Sequence, residues 1–177
     1  MAKKKAIFLD RDGVINQVLT DRVRFVNKPE DIYLLPGAAD AIAIFNRQGY
    51  MVLVTSNQGG VGLGYMTQEE LLEIHKHMQE KLINENAGAH IQEFAACIHR
   101  LKDGCSCRKP EAGMLLQLAQ KYDIDLASSY MIGDQETDIC AGKKAGTKTI
   151  RIASSLEETQ ANFKFPSLLN VALENIF

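Results

Sequence analysis

The sequence predicts an α/β fold built on a parallel, doubly wound sheet. Two observations support this: short apolar runs alternate with amphipathic helical segments, and several apolar runs stop abruptly at polar residues. Such alternation is typical of parallel strands joined by right-handed crossovers, and ligands in open α/β sheets bind beyond the carboxyl ends of the strands. A chain of 177 residues is long enough to bury roughly 70% of its unfolded surface in one core. We therefore expect one domain over residues 1–177.

Composition and charge exclude several classes of protein. The formal net charge of −2 gives no general attraction to polyanions, so nucleic acid is not an expected partner. No apolar stretch approaches the length of a membrane span, and the first apolar run is too short for a secretory signal. We expect a cytoplasmic monomer without a membrane partner. In that compartment the four cysteines are expected to be thiols or metal ligands rather than disulfides.

The first strand is expected at the apolar run Ala6–Leu9, which ends at Asp10 and Asp12. Because side chains alternate along a strand, both carboxylates should lean to one side, with Arg11 turned away. Gly13 permits a sharp turn directly afterwards. Two acids this close need a cation between them or a proton on one of them. The alternative is an ordinary strand-end turn in which Asp10 caps a backbone group.

The stretch Asp-Arg-Asp-Gly-Val-Ile-Asn, from Asp10 to Asn16, resembles the first motif of the haloacid dehalogenase (HAD) superfamily of phosphatases. The arginine between the acids and the asparagine at the end are similar to those of the heptose-bisphosphate and histidinol phosphatases in that superfamily. The resemblance implies that Asp10 is the nucleophile and Asp12 the general acid and base.

The next segment, residues 14–35, contains two short β-like pieces at 23–26 and 32–35. They predict a hairpin-like flap beside the two acids. A helix is then expected from Ala38 to the stop signal at Gly49.

A second strand is predicted at residues 50–55, with Ser56 and Asn57 at its tip. Four glycines follow within residues 59–64, a loop that can bring backbone N–H groups close to an anion, although a ligand-free connector is nearly as common. Thr67 then opens a helix with a capping box and helical spacing to about Asn86. Its two histidines are spaced i, i+2 and should point to different faces, without a catalytic role.

The third strand, predicted at residues 91–98, leads into a cluster of soft metal ligands. Three thiols and an imidazole within eleven residues form the ligand set of a tetrahedral Cys₃His zinc site: Cys97, His99, Cys105 and Cys107. The spacing differs from the common C-x₂-C knuckle, so free thiols remain the alternative. A site whose four positions are all filled by protein has no place for substrate water and is expected to be structural.

Arg108 and Lys109 follow this cluster directly. Pro110 fits the first turn of a helix, which would place both cations just before a helix N-terminus, where an anion is favoured. The sequence from Cys107 to Pro110 again resembles the heptose-bisphosphate and histidinol phosphatases. That resemblance implies that Lys109 steadies the nucleophile and phosphate, and that Arg108 contacts substrate.

The fourth strand, predicted at residues 130–132, ends in Gly133 and Asp134. Asp138 lies one helical turn further on and can face the same way, although an acid at a helix N-terminus also simply favours the dipole. This pattern is similar to the fourth motif of the superfamily, in which the first acid holds Mg²⁺. The last core strand is expected at 147–152, and the tail from residue 154 as a short closing helix without a direct role.

The resemblance covers nearly the whole chain and implies a HAD-like, Rossmann-like fold with the first strand central, a zinc-binding loop and no large cap domain. It implies a Mg²⁺-dependent phosphomonoester hydrolase with an aspartyl-phosphate intermediate. Mg²⁺ would be held by carboxylates of Asp10 and Asp134 and by the backbone carbonyl of Asp12. The expected donors to the phosphoryl oxygens of a small phosphate ester are Ser56, Asn57, Arg108 and Lys109.

The expected substrate is a heptose 1,7-bisphosphate, cleaved at the 7-phosphate. Two departures from that subfamily matter: Ser56 replaces the usual threonine, and Leu63 replaces an arginine that would meet a second phosphate. The alternative substrate is histidinol phosphate or another small phosphorylated metabolite. A zinc-stabilised interaction module is the alternative that is not an enzyme.

Overall fold

The computed structural model describes residues 3–154, 156–174 and 176. Within those residues, no helix is both long enough and apolar enough to cross a membrane.

One parallel sheet of six strands organises the described chain, in the order β3-β2-β1-β4-β5-β6. Leu9 at the end of β1 lies opposite Val54 of β2 and Ile132 of β4. The carboxyl ends of β1, β2 and β4 therefore meet at one edge, and the prediction of a central first strand is confirmed. The strands are β1 (Ala6–Leu9), β2 (Met51–Asn57), β3 (Glu93–Cys97), β4 (Tyr130–Gly133), β5 (Lys148–Ile152) and β6 (Phe163–Phe165).

Helices cover both faces of the sheet. The longest begins at the predicted capping box, in which the Thr67 side chain accepts a hydrogen bond from the Glu70 backbone N–H and the Glu70 carboxylate accepts from the Thr67 N–H. The α-helices are α1 (Ala38–Arg47), α2 (Gly59–Gly62), α3 (Gln68–Glu85), α4 (Gly113–Tyr122), α5 (Glu136–Ala145) and α6 (Leu168–Leu173).

The core has two parts, one on each face of the sheet. Ile7 and Leu9 contribute to the larger apolar cluster, whereas Ala6 and Phe8 contribute to the smaller one. All four side chains are completely buried. Successive side chains of β1 thus point to opposite faces of the sheet, and both faces are buried. This explains why the sequence of β1 is continuously apolar and does not alternate with polar residues.

The flap prediction is wrong in its detail, because residues 14–35 contain no named strand. Only isolated bridges occur there, among them Asn16 with Leu34. The Asp31 carboxylate accepts hydrogen bonds from the backbone N–H groups of Asn27 and Lys28 and so stabilises a 3₁₀ turn at Pro29–Asp31. The preference of Pro29 and Asp31 for a turn therefore outweighs the preference of the apolar residues on either side for strands.

Further differences from the sequence predictions occur in the glycine-rich segment, at the start of α4 and in the tail. The glycine-rich segment forms a helical turn at Gly59–Gly62 rather than an open loop. The helix after Lys109 begins at Gly113 and not at Pro110, because the Glu111 N–H closes a turn onto the Arg108 carbonyl. The tail contributes a sixth strand before its closing helix.

No large cap domain is inserted between the strands of the described chain. Among the described residues, the segment at 14–35, the α2 turn and the cysteine-rich loop lie over the edge where β1, β2 and β4 meet.

Candidate active site

Three carboxylates meet at the carboxyl ends of β1 and β4. Asp10 continues β1, since its N–H donates to the Ile132 carbonyl at 2.9 Å. Asp134 directly follows β4, and Asp138 lies in the first turn of α5. One oxygen from each of the three acids lies within 4.8 Å of the others. Sheet topology therefore brings together acids that are more than 120 residues apart in sequence.

The fit of a cation to these acids rests on Asp134. Its Oδ1 is buried and has no hydrogen-bond partner among the described residues. Gly13 has a φ of +82°, and a Cβ there would lie 2.4 Å from the Asp134 Oδ2. Only glycine allows the backbone after Asp12 to approach the carboxylate this closely. An oxygen-only set with one unpartnered carboxylate oxygen suits Mg²⁺.

Lys109 is the cation at the centre of this group, and its side chain is almost fully buried. Its Nζ donates to Asp10 Oδ1 at 2.8 Å and to the Thr55 carbonyl at 2.6 Å. It also lies 2.6 Å from Asp138 Oδ1. All three ammonium protons are thus committed, and Lys109 holds the Asp10 carboxylate in place.

Burial and charge act on these groups in opposite directions. Burial raises the pKa of Asp10 to about 6, against the lowering effect of Lys109. Burial and the Asp10 charge also raise the pKa of Asp134. Burial alone would lower the pKa of Lys109, but the charges of Asp10 and Asp138 outweigh it and raise that pKa. The acids thus favour a bound proton or a cation over mutual repulsion.

Asp12 has a different environment from Asp10. Arg11 is fully buried and, contrary to the prediction that it turns away, its Nε and Nη2 bond both oxygens of Asp12 at 3.0 and 2.9 Å. Asn16 and Gln58 donate to the same carboxylate at 3.0 and 3.1 Å. Burial would raise the pKa of Asp12, but Arg11 and these hydrogen bonds lower it. The Arg11 side chain folds back towards Asp12 because an unpaired buried charge would carry a large desolvation cost.

Two cavities adjoin these acids, and Asp12 and Asn57 line both of them. The first, of about 190 Å³, holds Asp10, Ser56, Lys109 and Asp134 and is called the phosphoryl cavity below. The second, of about 310 Å³, lies towards α2 and is called the outer cavity. The predicted pair of cations is divided between them, because Lys109 lines the phosphoryl cavity and Arg108 the outer one.

The two predicted donors on β2 have different surroundings. Ser56 Oγ accepts a hydrogen bond from Gln58 at 2.5 Å, which leaves its own proton for a ligand in the phosphoryl cavity. The Asn57 amide instead bonds the backbone N–H and carbonyl of Lys109, at 3.0 and 2.9 Å. It fixes the segment that carries Lys109 against the tip of β2.

The four predicted zinc ligands converge in the loop after β3. Cys97 Sγ lies 3.5 Å from Cys105 Sγ and 3.1 Å from Cys107 Sγ, and His99 Nδ1 lies 3.2 Å from Cys107 Sγ. All four cysteines of the chain are free thiols. Soft donors gathered around one point without disulfide bonds suit a tetrahedral zinc ion.

Sequence reasoning did not assign several residues of this site. Gln58 and Asn16 hold Asp12, and Asp138 holds Lys109. The spacing from Asp134 to Asp138 carried a usable signal. The spacing of Gln58 and Asn16 gave no such signal, because their contact with Asp12 depends on how the Arg11 side chain folds back onto that carboxylate.

Comparison with known proteins agrees with this geometry. Residues 106–167 match a family model described as HAD-hydrolase-like. The chain is 35% identical to the D-glycero-beta-D-manno-heptose-1,7-bisphosphate 7-phosphatase of Helicobacter pylori J99 over 92% of this chain and 87% of that protein. It is 33% identical to the corresponding alpha-anomer phosphatase of Campylobacter jejuni over 91% and 88% of the two chains.

A solved structure shows the same likeness. The crystal structure of the D,D-heptose 1,7-bisphosphate phosphatase from B. bronchiseptica, complexed with magnesium and phosphate, superposes with a TM-score of 0.84 at 32% identity. The match covers 95% of this chain and 96% of the other. The chain belongs to the D-glycero-D-manno-heptose-1,7-bisphosphate 7-phosphatase family of HAD-like phosphatases.

Proposed function

We propose that this protein removes the 7-phosphate of D-glycero-D-manno-heptose 1,7-bisphosphate through an aspartyl-phosphate on Asp10. The observation that carries the proposal is the Asp10 carboxylate, held by Lys109 beside the unpartnered oxygen of Asp134 at the edge where β1 and β4 end. A fixed carboxylate next to a cation site is the arrangement that nucleophilic attack on a phosphate dianion requires.

Asp10, Asp134 and the backbone carbonyl of Asp12 are the proposed Mg²⁺ ligands. When bound, the ion offsets the repulsion between the Asp10 carboxylate and the substrate phosphate. Family membership and the magnesium in the B. bronchiseptica structure support this choice of metal.

Asp10 attacks phosphorus in line with the departing oxygen. The Asp10–phosphorus bond forms as the phosphorus–oxygen ester bond breaks, and the electron pair leaves with the sugar oxygen. Lys109 keeps the carboxylate oriented throughout, and Ser56 donates its hydroxyl proton to a phosphoryl oxygen.

Asp12 handles the protons of both steps. Bound to Arg11 it is ionised, the state that accepts a proton from the water attacking the aspartyl-phosphate. Protonating the leaving oxygen requires the neutral carboxyl group, so Asp12 must carry a proton at the start of the first step; the proton that it accepts from the attacking water in the second step restores that state. Its position on the wall of both cavities supports either role.

The sugar and its distal phosphate are proposed to extend into the outer cavity, where Arg108 is the cation. Leu63 lines the same cavity in the place of a second cation. A charge-assisted hydrogen bond contributes roughly 1.5 to 3 kcal/mol, or one to two decades in affinity. The bisphosphate should therefore be preferred over sugar monophosphates by a smaller margin than two cations would give.

A zinc ion bound by Cys97, His99, Cys105 and Cys107 is proposed to order the loop that carries Arg108 and Lys109. We further propose that the protein is a cytoplasmic monomer.

Steady-state kinetics on both anomers of heptose 1,7-bisphosphate, beside histidinol phosphate and hexose 6-phosphates, tests the proposal. We expect the highest kcat/KM for a heptose bisphosphate, with heptose 1-phosphate as the product by phosphorus NMR. Leu63→Arg should raise kcat/KM for the bisphosphate by about tenfold or more. A flat profile, or a preference for histidinol phosphate, would overturn the substrate assignment.

A further inference from the structure

The carboxylate of Asp134 makes no hydrogen bond to a distant element among the described residues. Its Oδ2 accepts a hydrogen bond from the side chain of the next residue, Gln135, at 3.1 Å. Its buried Oδ1 has no hydrogen-bond partner within the described part of the chain. Asp10, by contrast, is held by the ammonium group of Lys109 from another segment. The placement of the Asp134 carboxylate therefore depends on how the backbone of residue 134 is held.

Arg151 on the neighbouring strand holds this backbone. Asp134 lies between the end of β4 at Gly133 and the start of α5 at Glu136. Arg151 lies opposite Gly133 in the pairing of β5 with β4, and its Nε donates to the Asp134 carbonyl at 2.9 Å. Because that carbonyl lies outside both the strand and the helix, a side chain supplies its hydrogen bond.

The rest of the Arg151 guanidinium is fixed as well. Its Nη1 donates to Glu136 Oε1 at 2.6 Å, and its Nη2 donates to Glu157 Oε2 at 3.1 Å. Each nitrogen of the planar group thus has a partner, which sets the direction of the Nε–H bond. A lysine has a single nitrogen on a flexible stem and could not make these three contacts in the same geometry.

Stability alone is a poor explanation for this arrangement. The side chains of Glu136 and Glu157 are 40% and 51% exposed, and ion pairs with exposed partners contribute little to the free energy of unfolding. The Arg151 side chain itself is only 10% exposed, so its charge is costly to desolvate. The contact that the ion pairs secure is the one to Asp134, next to the candidate metal site.

We propose that Arg151 is a positioning residue for the metal site: by holding the backbone carbonyl of Asp134, it raises the affinity for Mg²⁺ without contacting the ion. The inference rests on the proposed function in one respect, that Asp134 is a Mg²⁺ ligand. Arg151 does not line the phosphoryl cavity, so it touches neither the substrate phosphate nor the reacting atoms. Loss of a group that orients a metal ligand typically weakens metal binding about tenfold to a hundredfold.

The charge of Arg151 acts in the opposite direction from its positioning effect. A positive side chain near the site repels Mg²⁺, so loss of the charge alone would tighten binding. Loss of the hydrogen bond to Asp134 would weaken it. Replacement by a neutral residue therefore separates the two effects by the sign of the change in the Mg²⁺ Kd.

Calorimetric titration of the protein with Mg²⁺, in the absence of substrate, measures this change. Arg151→Met removes the charge and all three contacts, whereas Arg151→Lys keeps a cation between Glu136 and Glu157 and is the variant expected to stay folded. We expect the Mg²⁺ Kd to rise about tenfold or more in both variants. Lys144→Met is the matched control, because it removes an exposed cation and its ion pair with Glu111 from α5. It should leave the Kd unchanged.

Steady-state kinetics over a range of Mg²⁺ concentrations distinguish positioning from a general loss of structure. In Arg151→Lys, the Mg²⁺ concentration that gives half the maximal rate should rise about tenfold or more. With heptose 1,7-bisphosphate at saturating Mg²⁺, kcat should stay within about threefold of that of the unaltered protein, because the refilled site has all its reacting groups.

An unchanged Mg²⁺ Kd in Arg151→Lys, tighter binding in Arg151→Met, or a loss of kcat that saturating Mg²⁺ does not restore would overturn the inference. Asp134→Asn is titrated in parallel to separate the two proposals. If Asp134→Asn weakens Mg²⁺ binding and the Arg151 variants do not, only the role of Arg151 is refuted. If the unaltered protein binds no Mg²⁺, or if Asp134→Asn binds it equally well, the proposed metal site is refuted and the role of Arg151 with it.

Discussion

Asp10 and Asp12 leave the same strand end but meet opposite surroundings. Burial raises the pKa of Asp10 to about 6 even with Lys109 alongside. Arg11, Asn16 and Gln58 overcome burial at Asp12 and lower its pKa. Two carboxyl groups two residues apart therefore differ in their environments: Asp10 belongs to the group that could bind a metal ion, whereas Asp12 is paired with the Arg11 guanidinium.

Asp10→Asn should lower phosphate release by at least about four orders of magnitude, because an amide is a poor nucleophile and a poor Mg²⁺ ligand. Asp12→Asn should also lose most activity but keep Mg²⁺ binding, since it changes no proposed side-chain ligand. Phosphate release and calorimetric Mg²⁺ titration on both variants measure this. A near wild-type rate for Asp10→Asn would show that Asp10 is not the nucleophile.

His75 is a buried histidine beneath this site. It stacks on Phe94 with ring centroids 4.7 Å apart, and its Nε2 has no hydrogen-bond partner among the described residues. Burial, helped by the charge of Arg11, lowers its pKa to about 3. It therefore stays neutral in the folded protein over the whole physiological range.

The pKa of His75 predicts a loss of stability in acid. An unfolded histidine binds its proton near pH 6.5, so the unfolded state binds more protons between about pH 3 and 6.5 and stability falls as pH falls. His75→Phe keeps the stacked ring and removes this titration. At pH 5 the variant should therefore lose about 2 kcal/mol less unfolding free energy, relative to pH 7.5, than the unaltered protein.

Urea denaturation at the two pH values measures the difference, and any acid-induced metal loss is common to both proteins. His77→Phe, at a partly exposed histidine of the same helix, is the matched control for the substitution itself. Parallel pH profiles for His75→Phe and the unaltered protein would contradict the buried neutral histidine.

At the scale of elements, the loop between β3 and α4 links the proposed zinc ligands to the active site. Lys109 lies two residues after Cys107, and its backbone is bonded to Asn57 of β2. A metal bound by the cysteine-rich loop would hold one side of the Lys109 segment, and Asn57 holds its backbone on the other side. Both would therefore set the position of the Lys109 ammonium group. The metal would thus support catalysis through this loop, by holding Lys109 in contact with Asp10.

Protein purified without added metal should contain one tightly held zinc per chain by elemental analysis. Removal by a chelator should raise amide hydrogen exchange across residues 97–109 and reduce activity, because Arg108 and Lys109 lose their support. Cys105→Ser should reproduce both effects.

Cys140→Ser is the matched control, as Cys140 is a free thiol of α5 outside the ligand group. It should retain zinc and activity. A preparation without zinc, or exchange at 97–109 that chelation leaves unchanged, would contradict the structural role of the metal.

Elements with strong local signals were predictable, and those decided by tertiary contacts were not. The capping box at Thr67 correctly predicted the start of α3. The apolar pieces at 23–26 and 32–35 do not pair as strands, because Leu34 forms a bridge with Asn16 and the Asp31 carboxylate accepts a hydrogen bond from the Asn27 N–H. At the start of α4, the Gly113 N–H donates a hydrogen bond to the Ser106 carbonyl, and a Cβ on residue 113 would clash with the Ser106 backbone. Hydrophobic periodicity in the sequence could not predict this contact.

At the scale of the whole molecule, the alternation of strands and helices was enough to predict a parallel sheet, and the family resemblance implied that β1 lies at its centre. The resemblance also implied that Asp10 and Asp134 share a metal ion, and the structure brings the two residues together because β1 and β4 are neighbours. Neither predicted the curled Arg11, the full commitment of Lys109 or the outer cavity. These depend on side-chain packing between segments far apart in sequence.

The division into two cavities follows from the same architecture. Strand ends supply the fixed acids of the phosphoryl cavity, while the α2 turn and the segment at 14–35 supply the wall of the outer one. In the proposed mechanism, the catalytic groups are therefore held by the sheet, and substrate specificity is set by the segments that cover its edge.

The central claim is that Asp10 carries the phosphoryl group during turnover. Mass spectrometry of enzyme mixed with heptose 1,7-bisphosphate and quenched in acid within one turnover tests it most directly. The account predicts one added phosphoryl group on the peptide containing Asp10, absent from the Asp10→Asn protein. Phosphate release with no labelled Asp10, or the label on another residue, would contradict it.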